Sequence, residues 1–300
     1  MRNFSSWVSA ARLRTLPLSI SGIIVGTVLA AHQGYFNIAV FSLALGTTLG
    51  LQILSNFAND YGDGVKGTDN LDRIGPARAL QSGLISPKEM KQGIVVTAAT
   101  TLFLAILLIY TAFGRENFYY AILFFILGVA AITAAIKYTV GNSAYGYRGL
   151  GDLFVFIFFG LVAVYGSYFL YTHQLDWKVF LPACSIGFLS AGVLNLNNMR
   201  DRLSDEKSGK NTLVVKMGDK LSKNYHYLLI IGAILCFLVF SVLTANYFTD
   251  FIYVFAFIPL LLHLKRVIQN KSPALLDPEL KILALTTFLV SVLFGLGILI

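Results

Sequence analysis

Charge is what this chain has least of. Only 13% of its 300 residues are Asp, Glu, Lys or Arg, against 56% hydrophobic, and the mean hydropathy is +0.72. Water-soluble domains carry about a quarter charged residues, so a soluble two-domain enzyme is excluded, and so is a disordered chain. Cysteine is as scarce. Cys184 and Cys236 are the only two, and both sit in apolar runs, where a free thiol behaves as a small hydrophobe. A disulfide scaffold is excluded with them. Nor does the N-terminus carry a short apolar stretch with a small-residue cleavage site. MRNFSSWVSAARLRTLPLSI runs straight into a full-length span, and the first helix is expected to be retained.

What is present is a series of apolar runs of roughly 18 to 22 residues, each able to cross a hydrocarbon core of about 30 Å as a helix. The pattern predicts an all-α integral membrane protein, a single polytopic domain over 1–300. Nine spans are expected at about 16–32, 36–58, 92–112, 118–138, 151–171, 179–197, 225–245, 250–264 and 279–299, the eighth short. The connecting loops alternate between polar, basic ones and short ones. Of the 23 lysines and arginines, only Arg115 and Lys178 fall on the short-loop side. Cytoplasmic loops are enriched in these residues, which places the N-terminus and the basic loops in the cytoplasm and the C-terminus outside. The net charge of +8 then follows from topology and anionic headgroups, and no nucleic acid is needed to explain it.

Two of the basic loops carry more than connectors need. One reads NFANDYGDGVKGTDNLDRIGPARALQSG from Asn56 to Gly83, the other NLNNMRDRLSDEKSGKNTLVVKMG from Asn195 to Gly218. Each begins where a span runs out, and each contains Asn-x-x-x-Asp, as Asn56 to Asp60 and Asn197 to Asp201. Helical spacing stacks such pairs on one face. Asp63 follows Asp60 by three residues and Asp205 follows Asp201 by four. A lone Asn or Asp at a helix end is ordinarily a cap, but a repeated paired arrangement is more than capping requires.

Two carboxylate-bearing faces meeting at a membrane edge concentrate negative charge and call for cations. Hard oxygen ligands suit Mg²⁺, which keeps several waters and binds one or two carboxylates together with phosphate oxygens. The expected ligands are Asp60, Asp63, Asp201 and Asp205, acting on a diphosphate. Arg73 and Arg78 follow the first pair, Arg200 flanks Asp201, and Lys207 and Lys210 follow Asp205, all suited to phosphate oxygens and to a leaving diphosphate. Arg202, Lys216, Lys220 and Lys223 are read as topology charges. A third cluster, KYTVGNSAYGYRGLGD from Lys137 to Asp152, adds Tyr138, Tyr145, Tyr147, Arg148 and Asp152 on the same side. Tyr138, Tyr145 and Arg148 are candidate substrate contacts, although aromatic and basic residues also anchor spans at interfaces. The abundant Phe and Tyr residues are packing and lipid-facing by default, with a few able to face an allylic cation.

These residues resemble the UbiA superfamily of intramembrane prenyltransferases, and within it the branch that prenylates 1,4-dihydroxy-2-naphthoate. The resemblance rests on RLRTLPLSISG at 12–22, NDYGDGVKGTD at 59–69, GPARALQSGLIS at 75–86, YGYRGLGDLFVFIFFGLVAVYGSY at 145–168 and NLNNMRDRLSDEKSGKNTLVVKMG at 195–218. It implies that Asp60 and Asp63, with Asn56 and Asn59 and with Asp69 as a further member, form a first magnesium-diphosphate motif. Asp201 and Asp205, with Asn197 and Asn198, form the second. Arg78 then resembles a diphosphate-contacting arginine and Lys210 a basic partner. The chain departs from the general Asn-x-x-x-Asp-x-x-x-Asp pattern, since position 64 is Gly, and VGNSA at 140–144 replaces a Gly-Gly-Pro-rich stretch.

The activity implied is transfer of a polyprenyl group from its diphosphate to the naphthoate, with loss of carbon dioxide and diphosphate, in a bacterial inner membrane. Alternatives are another aromatic acceptor, 4-hydroxybenzoate or homogentisate, and, from a different class, a cation-coupled transporter. The transporter would place carboxylates at mid-span in broken helices, whereas these sit at cytoplasmic ends among phosphate-suited cations.

Overall fold

The computed structural model describes residues 2–68, 74–75 and 78–300. Among these, nine helices are long and apolar enough to span a membrane, and no strand is formed. The chain runs through α1 (Arg2–Ala11), α2 (Leu16–His32), α3 (Ile38–Val65), α4 (Pro87–Phe113), α5 (Phe118–Lys137), α6 (Gly151–Thr172), α7 (Phe180–Lys207), α8 (Leu213–Thr244), α9 (Phe248–Gln269) and α10 (Asp277–Leu299).

The helices follow the apolar runs but not their ends. Both α3 and α7 continue past the last apolar residue, to Val65 and Lys207 rather than 58 and 197, so the acidic residues lie inside helices. Further along, α8 begins at Leu213 and breaks at Gly218, whose φ of 75° ends one helical segment and starts the next. The short eighth span is helped across by a 3₁₀ stretch from Phe248 to Ala256. The middle of α6, Phe156–Gly166, is π-helical. Hydropathy cannot signal that widening, because it changes the hydrogen-bond register and not the composition.

α3, α4 and α5 pack on one another, α7 packs on α8, α6 and α10, and α10 packs on α9 and α2. Without a hydrophobic driving force between helices in lipid, close approach depends on small residues. A Cβ on Gly26 of α2 would lie 2.2 Å from the Val164 carbonyl of α6, and one on Gly160 of α6 would lie 2.6 Å from the Ala183 carbonyl of α7. The apolar core around Val164, Ile186, Leu189, Ile230, Phe237 and Phe294 joins these helices. At the end nearer the acidic motifs, α8, α9 and α10 are tied by buried polar groups. The Nε2 atoms of His226 and His263 lie 2.9 Å apart, and His263 Nδ1 is 2.6 Å from Glu279, which also takes Arg266.

The short helix α1 lies outside the hydropathy pattern. Its apolar side docks on α3 and α4, with Trp7 edge-on to Phe57 at 5.1 Å between centroids and Ala10 and Ala11 buried beside Leu54 and Met90. At Arg12 the backbone turns left-handed (φ 51°, ψ 63°), which redirects the chain from α1 into α2 and points a guanidinium toward the end of α3.

Candidate active site

The two acidic motifs sit on the last turns of α3 and α7. Carboxylates at a helix C-terminus oppose the macrodipole, so their burial needs donors and cations, and the tertiary structure supplies both. Asp60, 1% exposed, accepts from the backbone amides of Ala79 and Leu80 at 3.2 and 3.3 Å, which anchors the following loop over the helix end. Asp63, 2% exposed, takes Arg78 Nη1 at 3.1 Å and Lys210 Nζ at 3.5 Å on Oδ2, and the Tyr147 hydroxyl at 2.9 Å on Oδ1.

Lys210 joins the motifs. Its ammonium also lies 3.7 Å from Asp205 Oδ1, so one cation reaches a carboxylate from each. Burial pushes this ammonium toward neutrality, but Asp63 and Asp205 outweigh it and hold the pKa above the usual lysine value. Asp201 is bound through both oxygens by Arg200, at 2.8 Å from Nε and 2.6 Å from Nη2. Two acceptors remain open: Asp205 Oδ2 and Asn198 Oδ1 are buried with no hydrogen-bond partner among the described residues.

The remaining sequence candidates separate. Asn59 borders the cavity described below, accepts from Thr139 through Oδ1 at 3.3 Å, and takes Arg78 on its carbonyl at 2.9 Å. Asn56 instead reaches back to the Ala11 carbonyl at 2.8 Å and Thr15 at 3.2 Å, fastening α1 to α3. Arg200, expected on phosphate, is 1% exposed and gives its guanidinium to Asp201, Asn197 and Asp277. It therefore positions Asp201 and presents no fork to a ligand. Lys207 is exposed and lines a separate surface pocket with Arg202 and Asp219, and Arg148 is exposed, its carbonyl accepting from Lys216. Asp69 and Arg73 lie outside the described residues.

Three contributors were not singled out from the pattern. Lys66 stands 4.0 Å over the Tyr147 ring and donates to the Thr139 carbonyl at 2.7 Å. Tyr147 bonds both Asp63 and Thr68, and burial pushes its phenol well above the usual value. Arg12 acts electrostatically on Asp63. Proximity of Lys66 to Asp63 in sequence is a usable signal, and Arg12, counted with the topology charges, opens the RLRTLPLSISG block.

Below this polar rim lies a cavity of about 290 Å³ between α2, α3, α4, α5 and α6. Its end nearest the rim is edged by Gln52, Ser55, Asn59, Tyr138 and Tyr145, and its wall is apolar, with Leu51, Leu108, Phe124, Phe158, Phe159 and Leu170. Tyr145 stacks on Phe154 at 4.0 Å and meets Tyr138 edge-on at 5.4 Å. A charged rim over a greasy pocket accommodates an amphiphile with an anionic head.

An all-helical membrane bundle with this arrangement is the class of the UbiA-type intramembrane folds. The apo structure of a UbiA homolog from Aeropyrum pernix K1 matches at a TM-score of 0.70 with 17% identity, over 96% of this chain and 98% of that one. A UbiA homolog from Archaeoglobus fulgidus bound to GPP and Mg²⁺ matches at 0.63 with 17% identity, over 95% and 99%. The UbiA prenyltransferase family model matches residues 19–285, and the chain belongs to that family. Among its relatives, the 1,4-dihydroxy-2-naphthoate octaprenyltransferase of Haemophilus influenzae is 44% identical over 98% of this chain and 96% of its own. Its namesake from Escherichia coli is 42% identical over 98% and 94%, and that from Mycobacterium tuberculosis 38% over 79% and 78%.

Proposed function

We propose that this protein transfers a polyprenyl group from polyprenyl diphosphate to 1,4-dihydroxy-2-naphthoate, releasing carbon dioxide and diphosphate and forming demethylmenaquinol in a bacterial inner membrane. The observation that carries the reading is the full-length likeness, above 40% identity, to relatives bearing that activity in their names, joined to a cation-rich rim over an apolar cavity.

The residues fit Mg²⁺. Asp205 Oδ2 and Asn198 Oδ1 are buried, hard oxygen acceptors without a partner; among the described residues no three His, Cys, Asp or Glu are gathered closely enough to hold a metal by themselves, so diphosphate oxygens and water would have to complete its shell. That suits an ion that keeps waters and phosphate oxygens in its shell. Asp60, Asp63, Asp201 and Asp205 would hold it with Asn198, and it would supply charge neutralisation on the diphosphate.

The chain's own groups do the rest. Arg78, Lys210 and Lys66 lie where charge grows on the departing diphosphate, and preorganised cations in a dry site stabilise that charge. The tail lies in the apolar cavity, whose walls exclude water and so protect the allylic cation from hydrolysis. Tyr138 and Tyr145 edge the point where tail meets head and offer ring faces to that cation. The electron-rich ring attacks through the carbon bearing its carboxylate, and loss of carbon dioxide restores aromaticity. The rim faces the cytoplasm in this reading, on the side where the lysines and arginines lie.

The test is prenylated product and carbon dioxide from membranes given the naphthoate, octaprenyl diphosphate and Mg²⁺, beside Asp60→Asn and Asp201→Asn at matched expression. Metal-dependent turnover lost in both variants is expected. Turnover with 4-hydroxybenzoate or homogentisate alone would refute the acceptor assignment.

A further inference from the structure

Asp152 is buried one turn before the cavity-lining Val155, and nothing in the donor chemistry above uses it. It occupies the first turn of α6 and is 5% exposed. Among the described residues no lysine, arginine or histidine pairs with it. The phenol of Tyr225 on α8 lies close enough to act on its charge, and Asp152 Oδ1 is buried with no hydrogen-bond partner among the described residues.

That separates it from the motif acids. A general base needs an oxygen free to accept a proton, with no cation holding the charge in place. Asp60 is engaged by two amides, Asp63 by two cations and a phenol, and Asp201 by a bidentate guanidinium, while Asp205, whose Oδ2 is also open, has its charge held by Lys210. Asp152 also stands next to the cavity wall. Val155, one turn further along α6, lines the cavity, as do Phe154, Tyr138 and Leu194. A Cβ on the neighbouring Gly151 would lie 3.3 Å from Tyr138 Oη and 3.2 Å from Leu194. Tyr138 Oη makes no hydrogen bond among the described residues, and it feels the Asp152 charge. An unpartnered acceptor therefore lies near an unpartnered donor that edges the cavity.

We propose that Asp152 accepts the proton of the aromatic substrate's ring hydroxyl, with Tyr138 donating to the same oxygen and Tyr225 holding the carboxylate in place. This rests on the function proposed above and assigns it a base. As the carboxylate-bearing carbon bonds to C1 of the prenyl group, the bond from C1 to the diphosphate oxygen breaks. The adjacent hydroxyl becomes a ketone, and its proton passes to Asp152. Departure of carbon dioxide leaves its bonding pair in the ring as an enolate, and Asp152 returns the proton to that oxygen. The acid ends as it began, and the product is the quinol. Burial raises the Tyr138 phenol above its usual value, so it stays a proton donor throughout.

The experiment uses the full-length enzyme in lipid nanodiscs with Mg²⁺, the naphthoate and octaprenyl diphosphate. Asp152→Asn should lower kcat by about 10²–10³-fold while leaving the donor KM within about threefold, and Asp152→Glu should recover at least about a tenth of the wild-type rate. The groups facing Asp152 are phenols, Tyr138 from the end of α5 and Tyr225 from α8, while α7, also packed on this turn, contributes Leu194. None changes charge between about pH 6 and 9. The Asn variant's rate should therefore climb with pH as the acceptor ionises in solution and no longer needs the base. Wild-type enzyme that turns over beside an Asn variant within about threefold of it would overturn the assignment. So would a depressed rate that neither pH nor glutamate restores. If Asp152→Asn does not fold, Tyr225→Phe replaces it, with about a tenfold lower kcat expected at unchanged donor KM; an unchanged kcat would overturn the proposal. Wild-type enzyme inert toward the naphthoate would sink the function reading instead.

Discussion

Replacing Lys210 by methionine removes the cation that joins the two acidic motifs. Its side chain is 7% exposed, and it stands 3.5 Å from Asp63 and 3.7 Å from Asp205, themselves 2% and 6% exposed. In an effective dielectric of about 20, each attraction is worth roughly 4–5 kcal/mol before desolvation. Removing one partner from a buried charge cluster destabilises by about 3–5 kcal/mol, because carboxylates are left without compensation. Arg78 remains on Asp63, so the lower end of that range is expected. Transfer should fall further than stability, by about 10²–10³-fold in kcat, since a preorganised charge facing the leaving group is lost. Thermal unfolding in nanodiscs, followed by tryptophan fluorescence with Trp7 packed beside the α3 end, gives the first quantity, and single-turnover transfer the second. The double variant Lys210→Met with Asp205→Asn should regain about 1–3 kcal/mol, the coupling expected of groups in direct contact. A Lys210→Met protein with wild-type stability, or a double variant no more stable than the single, would refute the bridging role.

Two further outcomes follow from packing and charge. Gly160→Ala should lower stability by about 1–3 kcal/mol, because its Cβ would lie 2.6 Å from the Ala183 carbonyl, whereas Gly46→Ala, whose nearest neighbour is Leu104 at 3.6 Å, should be neutral or stabilising; equal melting shifts would count against the close α6–α7 approach. Stability should also fall on the alkaline side. Burial raises the Tyr147 phenol and acidic neighbours hold Lys210 above its usual value, so both keep their protons longer folded than unfolded. Their contribution is complete below about pH 10, the unfolded value of both groups, and is lost as pH rises through the folded values. Melting scans from about pH 8 to 11 should show the drop, and Tyr147→Phe should flatten part of it; a flat profile in the wild type would contradict the burial of these groups.

Much of the architecture was legible because lipid leaves a long apolar run no alternative to a helix. The nine runs match nine span-length apolar helices among the described residues, and the two Asn-x-x-x-Asp patterns lie on the last turns of α3 and α7. What the pattern missed has physical reasons. α1 is ten residues of low hydropathy held by docking Trp7 on Phe57, and hydropathy is blind to docking. The π-helical turn of α6 and the extension of α3 and α7 through their acidic ends depend on partners from other helices. Asn56 and Arg200 carry the residue types of ligand-binding groups, yet face Ala11 and Asp201, because a side chain's direction is fixed by what packs around it.

The sequence by itself determined the solvent, the number of crossings and the chemical character of the two polar helix ends, since each follows from local composition and spacing. Only the tertiary structure decided which of those groups meet. Lys210 and Asp63 are 147 residues apart in the chain, and Asp152 is left with an open oxygen beside Tyr138 because α6 packs where it does. Such pairings follow from how helices cross, and no local pattern encodes that.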